Sequence, residues 1–208
     1  RGPKQPYAIG MADGAPFADS DDPNVNGPAD PFVDGDEDPT QVTIDAPAAN
    51  ALLKANTQAT ATIGVPFSYQ VTVPETPYPF PMYDVRITDD LSAPNADLRF
   101  VSVAKVSGSQ PWTPINTGTP TNLVIEDTSV GIDIPAGEQI VVEITLVLED
   151  TLTNVAPLAF TNTADYTFNR VDEDDASQEP GSPGTSPAMT IAEPLLTMEK
   201  SGPATTIG

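Results

Sequence analysis

Two long segments of alternating residues constrain the fold of this chain most strongly. In Glu138–Leu148, every second residue from Ile140 onward is a branched aliphatic. In Leu158–Phe168, one face is apolar and has the polar Asn162 in its midst; its apolar members are Leu158, Phe160, Ala164, Tyr166 and Phe168. Side chains of an extended chain alternate between two faces, so each segment predicts a strand with one buried face. We interpret them as adjacent antiparallel strands of an all-β domain.

Shorter segments before and after this pair also have strand patterns separated by turn residues. The 24 prolines and 14 glycines disfavour long helices, because proline lacks a backbone donor and clashes inside a helix. The sequence therefore predicts an all-β, Ig-like Greek-key β-sandwich. The further predicted strands are Tyr7–Ile9, Gln41–Ile44, Leu52–Lys54, Thr60–Ile63, Pro66–Val73, Tyr83–Asp89, Arg99–Val106, Asn122–Glu126, Val130–Ile134 and Ala188–Ala192.

The composition excludes several kinds of function. The chain contains no cysteine and no histidine, which rules out disulfides, thiolate or imidazole metal sites and Ser–His–Asp or Cys–His catalysis. A net charge of −22 repels nucleic acid and anionic lipid, and no apolar run is long enough to span a membrane. Neighbouring carboxylates such as Asp89 and Asp90 point to opposite faces of a strand, so we expect no glycosidase pair and no enzyme.

The chain divides into three parts by pattern. Residues 1–47 form an extended acidic segment rich in Asp, Pro and Gly, residues 48–192 carry the predicted sandwich, and residues 193–208 form an orphan strand. TATIG at Thr60–Gly64 recurs as ATTIG at Ala204–Gly208, and Val42–Lys54 parallels Met189–Lys200. We interpret residues 1–47 as the end of a preceding repeat or an assembly arm, and residues 193–208 as the first strand of a next repeat or a donor strand. The alternative is a coincidental match between two Thr-rich strand starts. We expect a processed chain or a piece of a longer one.

An ordered set of short motifs resembles a known kind of surface protein. ATIGxPFSYQVTV is followed by DVRITDDL, then IPAGEQIVVEIT, then NTADY. In this order they are similar to DUF11-type repeats and to the fimbrial isopeptide-forming Ig-like domains of prokaryotic surface proteins. The resemblance implies an extracellular module arrayed in stalks, fibres or adhesins, with no catalytic activity on other molecules.

The resemblance also implies candidates for an intramolecular isopeptide bond. Such domains join a lysine on the first strand to an asparagine near the last, with help from a buried carboxylate. The corresponding residues are Lys54 and Asn162, with Asp89, or else Asp84, as the carboxylate. Alternation places Asn162 and Asp89 on apolar faces. In the alternative interpretation Asn162 satisfies backbone groups, Asp89 caps a turn and Lys54 is solvated.

Acidic and amide side chains in the N-terminal segment suggest calcium. Their spacing matches several positions of an EF-hand-type loop, and alternate acids continue beyond it. Carboxylate and amide oxygens suit Ca²⁺, while the alternative is a solvated acidic loop. Residues 172–175 (DEDD) are a second, weaker candidate. The predicted ligands are Asp22, Asn24, Asn26, Asp30, Asp34, Asp36 and Asp38.

Taken together, these features predict a secreted or cell-surface structural repeat. It would assemble by strand pairing with copies of itself, be rigidified by Ca²⁺, and bind neither nucleic acid nor membrane. The alternative is a glycan- or protein-binding adhesin module, in which Trp112, Tyr78, Phe80 and Tyr83 would form a stacking platform.

Overall fold

The computed structural model describes residues 10–12, 15–18, 50–194, 198, 199 and 201. The chain forms two compact units, residues 1–47 and 48–208. In the first unit Gly10–Ala12 (β1) and Ala15–Ala18 (β2) pair as an antiparallel hairpin. Apart from residues 7–9 and 41–44, the low content of large apolar residues predicts loop throughout this segment. That prediction was wrong for β1 and β2, since it overlooked the intervening Asp-Gly dipeptide, a strong hairpin signal. The predicted strands 7–9 and 41–44 lie outside the described residues.

The second unit contains thirteen short and long strands among its described residues, and a single 3₁₀ turn at Asp175–Ser177. No helix in the part of the chain that the structure describes is long and apolar enough to cross a bilayer. The strands are Leu53–Asn56 (β3), Thr60–Thr62 (β4), Pro66–Val73 (β5), Tyr83–Asp90 (β6), Leu98–Ser107 (β7), Ile115–Asn116 (β8), Asn122–Glu126 (β9), Ile140–Leu148 (β10), Ala159–Phe160 (β11), Thr163–Asn169 (β12), Gln178–Pro180 (β13), Gly184–Thr185 (β14) and Met189–Ala192 (β15).

These strands form an all-β sandwich, as the sequence predicts. One antiparallel sheet has the order β3-β5-β10-β7, and a second has the order β13-β12-β6-β9-β8, with β14 also paired to β12. A small sheet, β11-β15-β4, pairs β15 in parallel with β4. Buried side chains from all three sheets join in a single hydrophobic core. Strands β5 and β9 have the predicted bounds.

The two longest predicted strands are not neighbours. β10 pairs with β5 and β7, for example Ile144 opposite Tyr69 and Val103, whereas β12 pairs with β6 in the other sheet. The second segment is also divided, since β11 leaves to pair with β15. The alternation correctly marked the buried faces, but it cannot say which strand lies alongside. The predicted antiparallel pair was therefore wrong.

Residues 130–134 are not a strand, contrary to the prediction. A single bridge joins Met82 to Ile134, and Gly131 has a φ of +71° in the left-handed region. A Cβ at Gly131 would lie 2.3 Å from Asp84 Oδ1, so this position requires glycine. Ile132 and Ile134 are nevertheless buried. The apolar alternation of this segment reflects burial without a continuous ladder.

Candidate functional site

The structure brings Lys54, Asp89 and Asn162 together in the core. Each residue is only 1% exposed. Lys54 Nζ donates to Asp89 Oδ2 at 2.5 Å, and Asn162 Nδ2 donates to the same oxygen at 3.3 Å. A side-chain amine and a side-chain amide therefore share one carboxylate oxygen, although they are distant in sequence.

Three different elements hold these side chains. Lys54 lies on β3, at one edge of the first sheet, opposite Val71 of β5. Asp89 lies on β6 in the second sheet, where alternation turns it inward with Val85 and Ile87. Asn162 occupies the break between β11 and β12. The cluster thus connects the two large sheets.

Ser186 fixes the backbone of Asn162. The Asn162 N–H donates to Ser186 Oγ at 3.0 Å, and the Ser186 N–H donates to the Asn162 carbonyl oxygen at 2.9 Å. Ser186 is itself buried, so this reciprocal pair is shielded from water. The asparagine therefore enters β12 with its side chain directed at Asp89. Sequence analysis missed Ser186, because a serine in a Pro/Ser/Gly-rich loop has no distinctive pattern.

Burial controls the protonation of the pair. Desolvation lowers the pKa of Lys54, opposed by the attraction and hydrogen bond of Asp89. Desolvation likewise raises the pKa of Asp89, opposed by Lys54 and by the Asn162 hydrogen bond. Both shifts favour the uncharged forms, a free amine and a carboxylic acid, because low-dielectric surroundings disfavour charge.

Tyr69 completes the apolar surroundings of the lysine. Its ring centroid lies 4.7 Å from Lys54 Nζ, and the residue is fully buried on β5. Burial also raises the pKa of Tyr69, so its hydroxyl remains protonated. Its position in the apolar face of Pro66–Val73 was visible in the sequence, but its contact with the lysine was not.

Two buried oxygens of the cluster have no hydrogen-bond partner among the described residues. They are Asp89 Oδ1 and Asn162 Oδ1. Such orphan groups are uncommon in native cores and call for an explanation. When Asp89 is protonated, its carboxyl group carries an O–H donor. The amide oxygen of Asn162 has no donor in the part of the chain that the structure describes and could accept from such a group.

The alternative roles considered from sequence do not describe these contacts. Lys54 is buried rather than solvated, and Asp89 accepts from two side chains rather than capping a turn. Asp84, the other candidate carboxylate, lies elsewhere and accepts from Asn169. The arrangement presents a nucleophile, an electrophile and an acid in one desolvated place, which is the set required for acyl transfer to an amine.

The other sequence-based candidates fall elsewhere. The predicted calcium ligands between residues 22 and 38 lie outside the described residues. Trp112 and Tyr78 are buried, and Lys105 Nζ covers the Trp112 ring at 4.7 Å from its centroid. These two rings pack inside the unit, whereas the other two residues of the predicted platform are more accessible: Phe80 is 48% exposed and Tyr83 is half-buried.

No protein-family model and no curated protein matches the chain. Several solved structures are similar to it. A cohesin module of a Clostridium perfringens family 33 glycoside hydrolase has 8% identity and a TM-score of 0.44, and the match covers 71% of this chain and 100% of the module. A chain of a type I cohesin–dockerin complex from Clostridium thermocellum has 11% identity and a TM-score of 0.46, with coverage of 74% and 99%.

Domains D2 and D3 of the major pilin SpaD from Corynebacterium diphtheriae have 16% identity and a TM-score of 0.45, with coverage of 64% of this chain and 51% of the pilin chain. Identities this low do not define a function. The functional argument therefore depends on the chemistry of the buried cluster.

Proposed function

We propose that residues 48–192 are a structural module of an extracellular fibre, stalk or adhesin, locked internally by an isopeptide bond between Lys54 and Asn162. One observation carries this proposal: the amine, the carboxyl group and the amide meet in a site from which water is excluded. A buried lysine and aspartate are costly to keep as ions and would be replaced easily by apolar residues if they served packing alone.

The proposed reaction balances as an aminolysis. The neutral Lys54 amine attacks Cγ of Asn162, a bond forms between Nζ and Cγ, and the bond between Cγ and Nδ2 breaks. Asp89 donates its proton to the amide and takes one from the attacking amine, so that the leaving group departs as ammonia. The shifted pKa values of Lys54 and Asp89 favour these starting forms. No cofactor or external reactant is needed.

The position of the proposed bond between Lys54 and Asn162 suits a mechanical role. Lys54 lies on the first strand of the second unit, and Asn162 immediately precedes β12 in the opposite sheet. A covalent link would therefore join the beginning of the module to its late strands. Force applied along the chain would pass through the bond instead of separating the sheets.

The proposal also includes assembly of the module with copies of itself. It is supported by the repetition of the Thr60–Gly64 pattern at Ala204–Gly208 and by the family resemblance of the motifs. We propose that the N-terminal segment and the tail belong to contacts with neighbouring repeats, through tandem connection or through strand addition. A secreted or surface location is part of this proposal and is supported by the same motifs.

Intact-mass spectrometry of the denatured protein tests the bond. We expect a mass lower by one ammonia than the sequence requires, and a branched peptide joining Lys54 to Asn162 after digestion. Lys54→Ala and Asn162→Ala should each restore the uncrosslinked mass. Lys105→Ala, which alters a lysine outside the cluster, should keep the deficit.

A wild-type protein with the full mass, folded and incubated at neutral pH, would refute the crosslink. Assembly is tested separately by the size of the protein isolated from its native source. An array or polymer containing many copies supports the fibre proposal, whereas a monomeric protein that does not associate contradicts it.

A further inference from the structure

Three carboxylates converge at a second place, away from the Lys54 cluster. Carboxylate oxygens of Asp84, Asp133 and Asp172 all lie within 4.8 Å of one another. Asp84 belongs to β6, Asp133 precedes the bridge at Ile134, and Asp172 follows β12. Three separate segments therefore contribute one acid each.

No described base neutralises these acids. Among the described residues, none of the three acids forms an ion pair with a lysine or arginine. The nearby Arg86 pairs instead with Glu126 at 2.9 Å and with Asp175 at 3.5 Å. Asp84 Oδ2 accepts only neutral donors, from the Glu173 N–H at 2.9 Å and from Asn169. Like charges at this separation repel one another, and the partial burial of Asp84 and Asp133 strengthens the repulsion, while Asp172 is exposed.

A buried amide aimed at the same place is the independent observation. Asn169 is 2% exposed, and its amide faces two acids, because Nδ2 donates to Asp84 Oδ2 at 3.0 Å and to Asp175 Oδ1 at 3.4 Å. Its carbonyl oxygen Oδ1 is buried and has no hydrogen-bond partner. Exchanging the two ends of an amide is a half-turn about the Cβ–Cγ bond that preserves the shape of the side chain. The exchange would bring Oδ1 beside the carboxylates, in a position to act as a fourth oxygen ligand.

We propose that Asp84, Asp133, Asp172 and Asn169 form a calcium site, with water completing the shell. Hard oxygen ligands in an irregular arrangement suit Ca²⁺, whereas Mg²⁺ demands a near-ideal octahedron and Zn²⁺ prefers nitrogen and sulfur. Gly131 fits this assignment, because a side chain there would collide with Asp84 Oδ1. The ion removes the repulsion and ties β6 to the segments that follow β9 and β12.

The site is independent of the proposed isopeptide bond and of the acidic N-terminal segment. NMR of the full-length protein, with CaCl₂ added to the EDTA-treated and dialysed sample, tests it directly. We expect saturable shifts of the backbone amides of Asp84, Gly131 and Glu173. At calcium 100-fold above the dissociation constant, Tm should rise by about 5–10 °C.

Asp133→Asn and Asp172→Asn should each reduce the calcium-induced rise in Tm and lower the affinity about tenfold or more. Asp133→Asn keeps the oxygen that accepts the Asp84 N–H, so its fold without calcium should be retained, as its Tm in EDTA will show. The matched control is Asp150→Asn, an exposed acid elsewhere, which should bind calcium as the wild type does. Unchanged amide resonances at Asp84 and Glu173 in saturating calcium would overturn the proposal, as would full calcium stabilisation of both variants.

Discussion

Lys54 Nζ lies 2.5 Å from Asp89 Oδ2, although the two residues belong to strands of different sheets. Neither side chain is exposed to solvent. As a static ion pair this arrangement is weak evidence for stability, because removing two charges from water costs about as much as their attraction returns. In the proposed aminolysis the same burial would be productive, since desolvation lowers the pKa of Lys54 and raises that of Asp89, toward the neutral amine and the protonated acid that the reaction requires.

Asp89→Asn should prevent the crosslink while leaving the fold intact. The substitution keeps the shape of the side chain but removes the proton-transferring acid, so the protein should retain the full uncrosslinked mass. Asp90→Asn is the matched control, because Asp90 is the exposed neighbour on the same strand. Complete loss of ammonia from the Asp89→Asn protein would remove Asp89 from the reaction.

Asn162→Ala should lower the free energy of unfolding by more than an ordinary polar truncation. A crosslink around a loop of about 100 residues stabilises a protein by roughly 4–5 kcal/mol in the chain-entropy treatment. Guanidinium denaturation of wild type, Lys54→Met, Asn162→Ala and the double variant measures this contribution. Either single change removes the whole bond, so the double variant should lie within about 1 kcal/mol of the less stable single variant. Additive losses would contradict a shared bond.

Ile144→Ala should destabilise the sandwich by about 2–5 kcal/mol through loss of packing and creation of a cavity. Ile144 is fully buried at the centre of β10, between β5 and β7. Val101→Ala on β7 is the control. Val101 is 44% exposed, so its change should stay within about 0.5 kcal/mol. Equal losses in urea denaturation would mean that β10 is not the centre of this sheet.

Tyr166 should make the fold sensitive to alkali. Its hydroxyl donates to the Asn50 carbonyl oxygen at 2.6 Å, and burial raises the pKa of Tyr166 from 10.0 to about 12. The folded protein holds this proton more tightly than the unfolded chain does. The resulting stability is therefore fully present below pH 10 and is lost as the pH rises through about 12.

Tyr166→Phe should be less stable at neutral pH and should lose less further stability across that alkaline window. Denaturation between pH 8 and 12 measures the effect, with the half-buried Tyr83→Phe as control. An unchanged alkaline slope in the Tyr166→Phe variant would assign the loss to other groups.

The sequence predicted most buried faces correctly because alternation is a local property. Pro66–Val73 and Asn122–Glu126 have the bounds that the pattern gave, and Asp89 and Asn162 are buried as their positions on apolar faces required. The same reasoning failed for Leu158, which is 42% exposed although it fits the pattern of its segment. Leu158 precedes β11, whereas Phe160 on β11 is buried in the core, so the exposure is confined to the start of the segment.

Some errors came from signals that alternation does not contain. The pairing of β1 with β2 follows an Asp-Gly signal in the sequence, and residues 130–134 depend on the positive φ of Gly131. Both are backbone effects of single residues, which a pattern of apolar side chains does not record.

By itself the sequence determined the fold class, the inward-facing residues and, with the family resemblance, the choice of Lys54, Asp89 and Asn162. Only the tertiary structure decided that β10 and β12 lie in different sheets, that Tyr69 and Ser186 lie beside the cluster of Lys54, Asp89 and Asn162, and that Asp84, Asp133 and Asp172 meet. The physical reason is that a strand's two faces are fixed by its own residues. Its neighbours, in contrast, are selected by loop closure and core packing among segments far apart in the chain.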